Sequence, residues 1–300
     1  MTMSPIELLI NDAELGQVAA DSLVADPAVE SVTSSPLRPV HNGFKAFIDG
    51  RSFDVSEIAI VTLLQAVAAG KEVLFLPLTA LGRYQHQTLI STKDLRVEDL
   101  PGRTVGVRAW SQTTGVWVRG FLAEQYGVDL PSVGWRTYSA GHVPEQPDPA
   151  WVSRAPEGHG LAEDLLAGEV DFAMMGNDRP DGEGVHSVID SPKQVAEEWA
   201  RQVGYIPVNH VIAVSRSAAR AVPGAVCGMY DALAAVLESR NAGTSGPPLS
   251  PYGFEGLRPA VTAAARFAWD QGLLARRVDY DELVGGTSEA LGVPASRLGG

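Results

Sequence analysis

Cysteine is nearly absent: Cys227 is the only one in 300 residues. One thiol cannot form an intramolecular disulfide, and it cannot build a cysteine-based zinc site or an iron–sulfur cluster. The neighbours of Cys227 form an apolar, helix-like run, which predicts a small core residue rather than a reactive one.

Positive charge is also scarce, because 23 Lys and Arg face 36 Asp and Glu and leave a net charge of −13. Such a surface repels phosphate backbones and anionic lipid, so we expect neither nucleic acid nor membrane as a partner. A small anion remains possible where a few arginines and helix N-termini make one cleft locally positive.

Long apolar runs are missing as well. The longest weakly polar stretch, residues 58–70, contains Thr62 and Gln65 and is too short to cross a bilayer. The first twelve residues have no basic segment ahead of an apolar run, which is not typical of a signal peptide. We therefore expect a cytoplasmic protein.

The chain does contain enough apolar residues, 45%, to form a sizeable core. Strand-length apolar runs alternate with helical patterns, which predicts an α/β fold with mainly parallel sheets. The alanine-rich helices after residue 217 have no strands of their own and must pack on an earlier sheet. This predicts a discontinuous first lobe, residues 1–95 plus 206–300, and a second lobe, residues 96–205, with a ligand cleft between them.

Several short motifs in a fixed order resemble those of 4,5-dihydroxyphthalate decarboxylases, from about residue 53 to residue 283. The stretches that carry the resemblance are Asp54-Val55-Ser56-Glu57, Gly102 to Arg108, Gln112 to Gly120, Tyr126-Gly127-Val128, Pro207 to His210, Pro251-Tyr252-Gly253 and Gln271-Gly272-Leu273. The resemblance implies a two-lobed type II periplasmic-binding-protein-like fold with a central ligand cleft and extra C-terminal helices. It also implies loss of CO₂ from a hydroxylated aromatic acid, without an organic cofactor.

One segment departs from the family pattern. Gly82 and Gln85 stand where the family has arginines, Arg83 appears one position along, and the family histidine is kept as His86. The substrate is therefore expected to be a small aromatic carboxylate, with the ring substitution left open.

Decarboxylating a hydroxybenzoate requires an acid that protonates the ring carbon bearing the carboxylate, and a holder for that carboxylate. His86 follows a buried strand and is the first candidate for the proton donor; the alternative is a structural histidine bonded to a backbone carbonyl. His210, on the strand that returns to the first lobe, is the second candidate.

Glu57 is expected to orient His86 or to take the phenol proton, with Ser56 beside it in the site. The alternative is that Ser56 caps the following helix and Glu57 lies in its first turn.

The turn from Ser111 to Thr114 leads from a strand into a helix and is the best anion site in the sequence. The predicted substrate contacts lie in this turn, beside it or after other strands: Arg83, Arg108, Trp110, Ser111, Gln112, Thr113, Thr114, Asn177, Arg179 and Asn209. Arg108 and Arg179 are candidates for gripping a carboxylate, and Trp110 for stacking on the ring.

Metal-ligand spacing is absent, and His41, His142, His159 and His186 are expected in solvated loops. A divalent ion held by scattered carboxylates stays open. Two alternatives remain: a non-catalytic binding protein closing on a small anion, or a different enzyme of the same fold. An exposed apolar face on the C-terminal helices would favour a homodimer.

Overall fold

The computed structural model describes residues 4–176, 178–182 and 184–300. Among these residues, no helix is both long enough and apolar enough to span a membrane. The described chain forms two β-sheets with helices packed around them.

The first sheet has the strand order β2-β1-β3-β11-β4. Its first three strands are parallel, and β11 runs antiparallel to both of its neighbours. The strands are β1 (Ser4–Leu9), β2 (Val29–Ser34), β3 (Val55–Ala59), β4 (Val73–Gly82) and β11 (Val208–Ser215). Every residue of β3 is buried, as expected for a strand in the middle of a covered sheet.

The second sheet has the order β10-β5-β9-β6-β7-β8. Four of its strands are parallel, while β5 and β10 add an antiparallel edge. The strands are β5 (Leu89–Ser91), β6 (Thr104–Val107), β7 (Gly134–Thr137), β8 (Val152–Arg154), β9 (Phe172–Met174) and β10 (His186–Ser187). The α/β prediction is confirmed.

The predicted first lobe, residues 1–95, includes β5, which pairs in the second sheet. The chain thus crosses between the sheets after Gly82, and it returns after α6 to enter β11. The sequence of a strand as short as β5 does not indicate which sheet it joins, because its pairing partner is far away in the sequence.

Ten helices cover the described sheets: α1 (Ala13–Val24), α2 (Phe44–Ile48), α3 (Ile60–Ala68), α4 (Thr113–Tyr126), α5 (Leu161–Ala167), α6 (Pro192–Val203), α7 (Arg216–Ala221), α8 (Pro223–Asn241), α9 (Phe254–Asp270) and α10 (Tyr280–Leu291). The last four pack on one another or on the first sheet, as the missing strand partners predict. Helix α9 also packs against α3 of the first lobe and α4 of the second, and so contacts both lobes.

Gly120 permits the close approach of α4 and α9. A Cβ atom at this position would lie 2.3 Å from the ring of Phe267. We expect Gly120→Ala to lower the free energy of unfolding by about 1–2 kcal/mol, since overpacking outweighs the gain in helix propensity.

Urea unfolding measures this effect, and Gly256→Ala is the matched control. Gly256 is an exposed residue of α9, and apart from its chain neighbours and the backbone of its own helix no described atom lies within 4 Å of the position that an alanine methyl group would take there. Alanine should therefore raise stability at this position by up to about 1 kcal/mol. Equal changes at the two glycines would contradict the packing argument.

Candidate functional site

A cleft of about 420 Å³ opens where the two sheets face each other. That volume suits a small ligand such as a substituted benzene ring. Its lining comes from both halves of the described chain: Pro39, His41, Phe44, Ala59, Thr62, Leu81, Arg83, Arg108, Ala109, Ser111, Gln112, Thr113, Thr114, His142, Gly176, Asp178, Asn209 and His210.

Glu57 and His210 form a hydrogen-bonded pair at the wall of this cleft. In the antiparallel pairing of β3 with β11, Glu57 lies opposite Ile212, which places His210 diagonally across on the same face. The Nδ1 of His210 lies 2.6 Å from Oε1 of Glu57, and Oε2 accepts a backbone hydrogen bond from Asn11 at 2.8 Å. Both carboxylate oxygens therefore act as acceptors, and Nδ1–H of His210 is the donor.

This pairing orients the other ring nitrogen of His210. Because Nδ1 is engaged with the nearly buried Glu57, Nε2 is the atom that can exchange a proton with a ligand. The ring of Phe44 meets His210 edge-on, with 5.6 Å between ring centroids, and fixes its plane. Among the described residues, none hydrogen-bonds to Nε2 of His210.

Arg108, directly after β6, brings a positive charge into the cleft. Its Nη1 donates to Nε2 of His41 at 3.0 Å. Arginine has no acceptor atom, so His41 must be neutral and carry its proton on Nδ1. Burial, followed by the charge of Arg108, lowers the pKa of His41, in agreement with that geometry.

His142 enters the same cleft on the long connection between β7 and β8. Its Nδ1 lies 3.0 Å from the hydroxyl of Thr62, and its ring meets Phe44 edge-on at 5.4 Å. Burial, with smaller contributions from Arg108 and the neighbouring histidines, lowers the pKa of His142 to about 4. The imidazole is therefore neutral at physiological pH.

Arg83 and Thr114 form the floor near the start of α4. Nη2 of Arg83 donates to Oγ1 of Thr114 at 3.1 Å, and Nδ2 of Asn209 approaches the same oxygen at 3.4 Å. With two donors directed at its oxygen, the Thr114 hydroxyl must donate its own proton elsewhere. Gln85, buried beneath the cleft, holds Asn209 through its side-chain amide.

The N-terminus of α4 completes the floor. Within the described ranges no side chain caps the first turn of this helix, so its leading N–H groups are open to a ligand. The side-chain oxygen of Gln112 is buried and has no partner within the described chain, which makes it an acceptor for a ligand hydroxyl. The cleft thus brings hydrogen-bond donors and two arginines together within an acidic protein, with the carboxylate of Asp178 also in its lining.

The predicted contacts Arg83, Arg108, Asn209 and His210, together with residues 111–114, line the cleft, with Glu57 directly behind it. Both Asn209 and His210 reach the cleft because irregular pairing with β4 interrupts strand alternation there.

His86 is not brought to the cleft. It is fully buried, stacks on Phe121 with 4.0 Å between ring centroids, and its Nε2 lies 3.0 Å from the amide oxygen of Gln125. Burial lowers the pKa of His86. Its surroundings are those of a structural histidine, held by a side-chain amide rather than a backbone carbonyl.

Three further predicted contacts lie elsewhere. The hydroxyl of Ser56 donates to the carbonyl of Glu57 inside β3. The residue that precedes α3 is Ala59, so neither Ser56 nor Glu57 caps that helix. Trp110 is fully buried under the guanidinium of Arg119, 3.5 Å from its ring centroid. Arg179 is exposed and donates to the carbonyl of Val185.

Asn177 lies outside the described residues. No group of three or more His, Cys, Asp or Glu side chains in the described ranges is placed to bind a metal ion.

His41 and His142 are two histidines of the site that sequence reasoning missed. Both lie outside regular strands, where spacing gives no signal, and both were expected to be solvated. The clustering of loop histidines can be recognised only after the fold brings residues 41, 62, 108 and 142 together.

Two curated relatives confirm the resemblance to 4,5-dihydroxyphthalate decarboxylases. The protein of that name from Comamonas testosteroni is 25% identical over 251 residues, which cover 76% of this chain and 75% of the relative. The one from Pseudomonas putida is 28% identical over 180 residues, covering 54% of this chain and 68% of the relative. No family model matches the chain.

Solved structures show the fold. The alkanesulfonate-binding protein SsuA from Xanthomonas axonopodis pv. citri, bound to MOPS, aligns with a TM-score of 0.53 at 16% identity, covering 94% of this chain and 98% of that protein. The desulfurization enzyme DSZB aligns with a TM-score of 0.51 at 18% identity, covering 97% and 99%. The predicted periplasmic-binding-protein-like fold is confirmed.

Proposed function

We propose that this protein is a decarboxylase of a hydroxylated aromatic carboxylic acid. The observation that carries the proposal is the Glu57–His210 pair at the wall of a donor-rich cleft. The pair supplies a held proton donor, and the cleft supplies the anion-binding groups that the reaction requires. The names of the two curated relatives support the same activity.

In the proposed complex the substrate carboxylate lies near Arg83 and the start of α4. The guanidinium, the Thr114 hydroxyl and the uncapped N–H groups together offer several donors to one anion. Arg108 stands on the other side of the cleft and suits a second anionic group. The ring then lies within reach of Nε2 of His210.

The reaction consumes one proton and releases CO₂. The Nε2 proton of the His210 imidazolium passes to the ring carbon that carries the carboxylate, and a ring π electron pair forms the new C–H bond. The electron density comes from an ionised ring hydroxyl, which becomes a carbonyl in a cyclohexadienone intermediate. The C–C bond to the carboxylate then breaks, and its electron pair restores the aromatic ring.

Glu57 stabilises the imidazolium in this scheme, and His210 regains its proton from solvent after CO₂ leaves. We propose that neither an organic cofactor nor a metal ion takes part, since a proton donor and an anion holder supply what this chemistry requires. We also propose that the protein works in the cytoplasm.

The test is CO₂ release, with the matching ultraviolet change, from 4,5-dihydroxyphthalate and a panel of mono- and dihydroxybenzoates, with and without chelator. Turnover of any of them establishes the reaction class. Thermal stabilisation by these compounds without CO₂ release would instead indicate a binding protein, and loss of turnover with chelator would overturn the metal-free scheme.

A further inference from the structure

We propose that His142 and His41 form a subsite for a ring hydroxyl of the ligand, and that this subsite selects hydroxylated over unsubstituted aromatic acids. The inference rests on the proposed function, since it deepens the description of the substrate. It assigns a role to two residues that are not part of the Glu57–His210 pair, although His142 and His210 both meet the ring of Phe44.

The buried hydroxyl of Thr62 fixes which nitrogen of His142 carries the proton. Thr62 is 1% exposed, and the Nδ1 of His142 is its sole side-chain hydrogen-bond partner within the described chain. A buried hydroxyl must donate its proton, and here Nδ1 is the acceptor that it reaches. The proton of the neutral His142 therefore sits on Nε2.

His41 is fixed in the complementary way. Arg108 donates to its Nε2, so its proton sits on Nδ1. The two rings lie 6.4 Å apart between centroids, and both line the cleft. Each ring thus has one N–H that is not used by its anchoring contact.

Neutral N–H donors can hold a ring oxygen without adding the net positive charge that would draw a carboxylate into the same position. The low pKa of His142 keeps it uncharged, so it cannot form an ion pair and recognises its partner by hydrogen-bond geometry. A phenolic oxygen has lone pairs for such donors. It gives up electron density when the ring carbon is protonated and regains it when CO₂ leaves, so these donors select the ligand at the binding step rather than accelerate protonation of the ring.

The position of the loop supports a selective role. The connection that carries His142 is anchored to the first lobe by Glu145, whose carboxylate lies 2.6 Å from Nζ of Lys71. His142 itself contacts Thr62 and Phe44, which also belong to that lobe. The subsite is therefore assembled from both sides of the cleft.

Isothermal titration calorimetry on the full chain tests the inference, with phthalate and 4,5-dihydroxyphthalate as paired ligands. The measurements use a His210→Gln background, so that the hydroxylated ligand is not consumed. We expect the dihydroxylated ligand to bind about tenfold more tightly, an advantage of the size that hydrogen bonds to ring oxygens provide. His142→Phe should reduce that advantage to less than twofold while leaving the affinity for phthalate nearly unchanged.

Two variants separate loss of the donor from loss of structure. His142→Gln keeps an N–H near the position of Nε2 and should retain most of the advantage. His186→Phe removes an exposed histidine outside the cleft lining and should retain all of it. Thermal melts establish that each variant is folded.

Other outcomes overturn the inference. These are equal weakening of both ligands by His142→Phe, no advantage of the hydroxylated ligand in the His210→Gln background, or no binding of either ligand. Failure of the proposed function would show separately, as selective binding in that background together with no CO₂ release by the protein that retains His210.

Discussion

Replacing His210 by glutamine should lower kcat for CO₂ release by about 10²–10⁴-fold, the range over which a positioned general acid contributes. The substrate dissociation constant should change by no more than a few fold, because the anion-binding groups lie on other elements. Arg83 comes from the end of β4, and the uncapped N–H groups belong to α4. The loss should therefore appear in kcat rather than in binding.

Glu57→Gln is the companion change. The amide keeps the size of the side chain but cannot stabilise an imidazolium, so kcat should fall by about 10–10²-fold and the alkaline limb of the pH profile should move. Single-turnover kinetics with the preferred substrate distinguish the two variants.

His86→Gln is the matched control for the histidine change. His86 is buried beside Phe121 and outside the cleft lining, so its loss should leave kcat within a few fold of the parent at temperatures where the protein is folded. If His86→Gln abolished turnover and His210→Gln did not, the proposed proton donor would be wrong.

The fold was readable from sequence wherever hydrophobic periodicity is strong. The strand predicted to carry His210 is β11, and the turn at residues 111–114 does lead into a helix, α4. What periodicity cannot supply is long-range pairing. The short strand Leu89–Ser91 carries no mark of the sheet that it joins.

In the candidate site too, the features set by local sequence could be predicted and those set by long-range packing could not. The turn at residues 111–114 was predictable because a strand running into a helix always leaves open N–H groups at that junction. His86 was assigned to the cleft because it follows a strand, but the chain turns its ring into the space between α4 and α6. Side-chain direction after a strand end depends on packing, which local sequence does not encode.

The pairing of Glu57 with His210 could have been predicted from the strand pairing, although not from the sequence alone. Each residue was a candidate alone, and sequence offered His86 as the partner of Glu57. Only the register of β3 against β11 places residues 57 and 210 on the same face as diagonal neighbours. A correct strand pairing would have been enough to predict the pair.

Acidification should destabilise the folded protein between about pH 6.5 and pH 4. Burial lowers the pKa values of His41, His86 and His142 in the folded state, that of His142 to about 4 from an ordinary value of 6.5. In this window the unfolded chain binds protons that the folded chain does not, so stability rises with pH. The stability that the protein retains by keeping these histidines neutral is complete above pH 6.5, and it is lost as the pH falls towards 4.

For His142 alone the loss should reach about 1–3 kcal/mol, the lower part of this range reflecting the partial exposure of the ring. Urea unfolding at pH 7.5 and pH 4.5 measures it, and His142→Gln should shrink the difference between the two pH values. The exposed His186→Gln should not. Carboxylates with lowered pKa values, such as Asp171 beside Lys93, act in the same direction but below about pH 4. A pH difference that His142→Gln leaves intact would show that His142 is not held neutral by the fold, and the assignment of its proton to Nε2 would lose its basis.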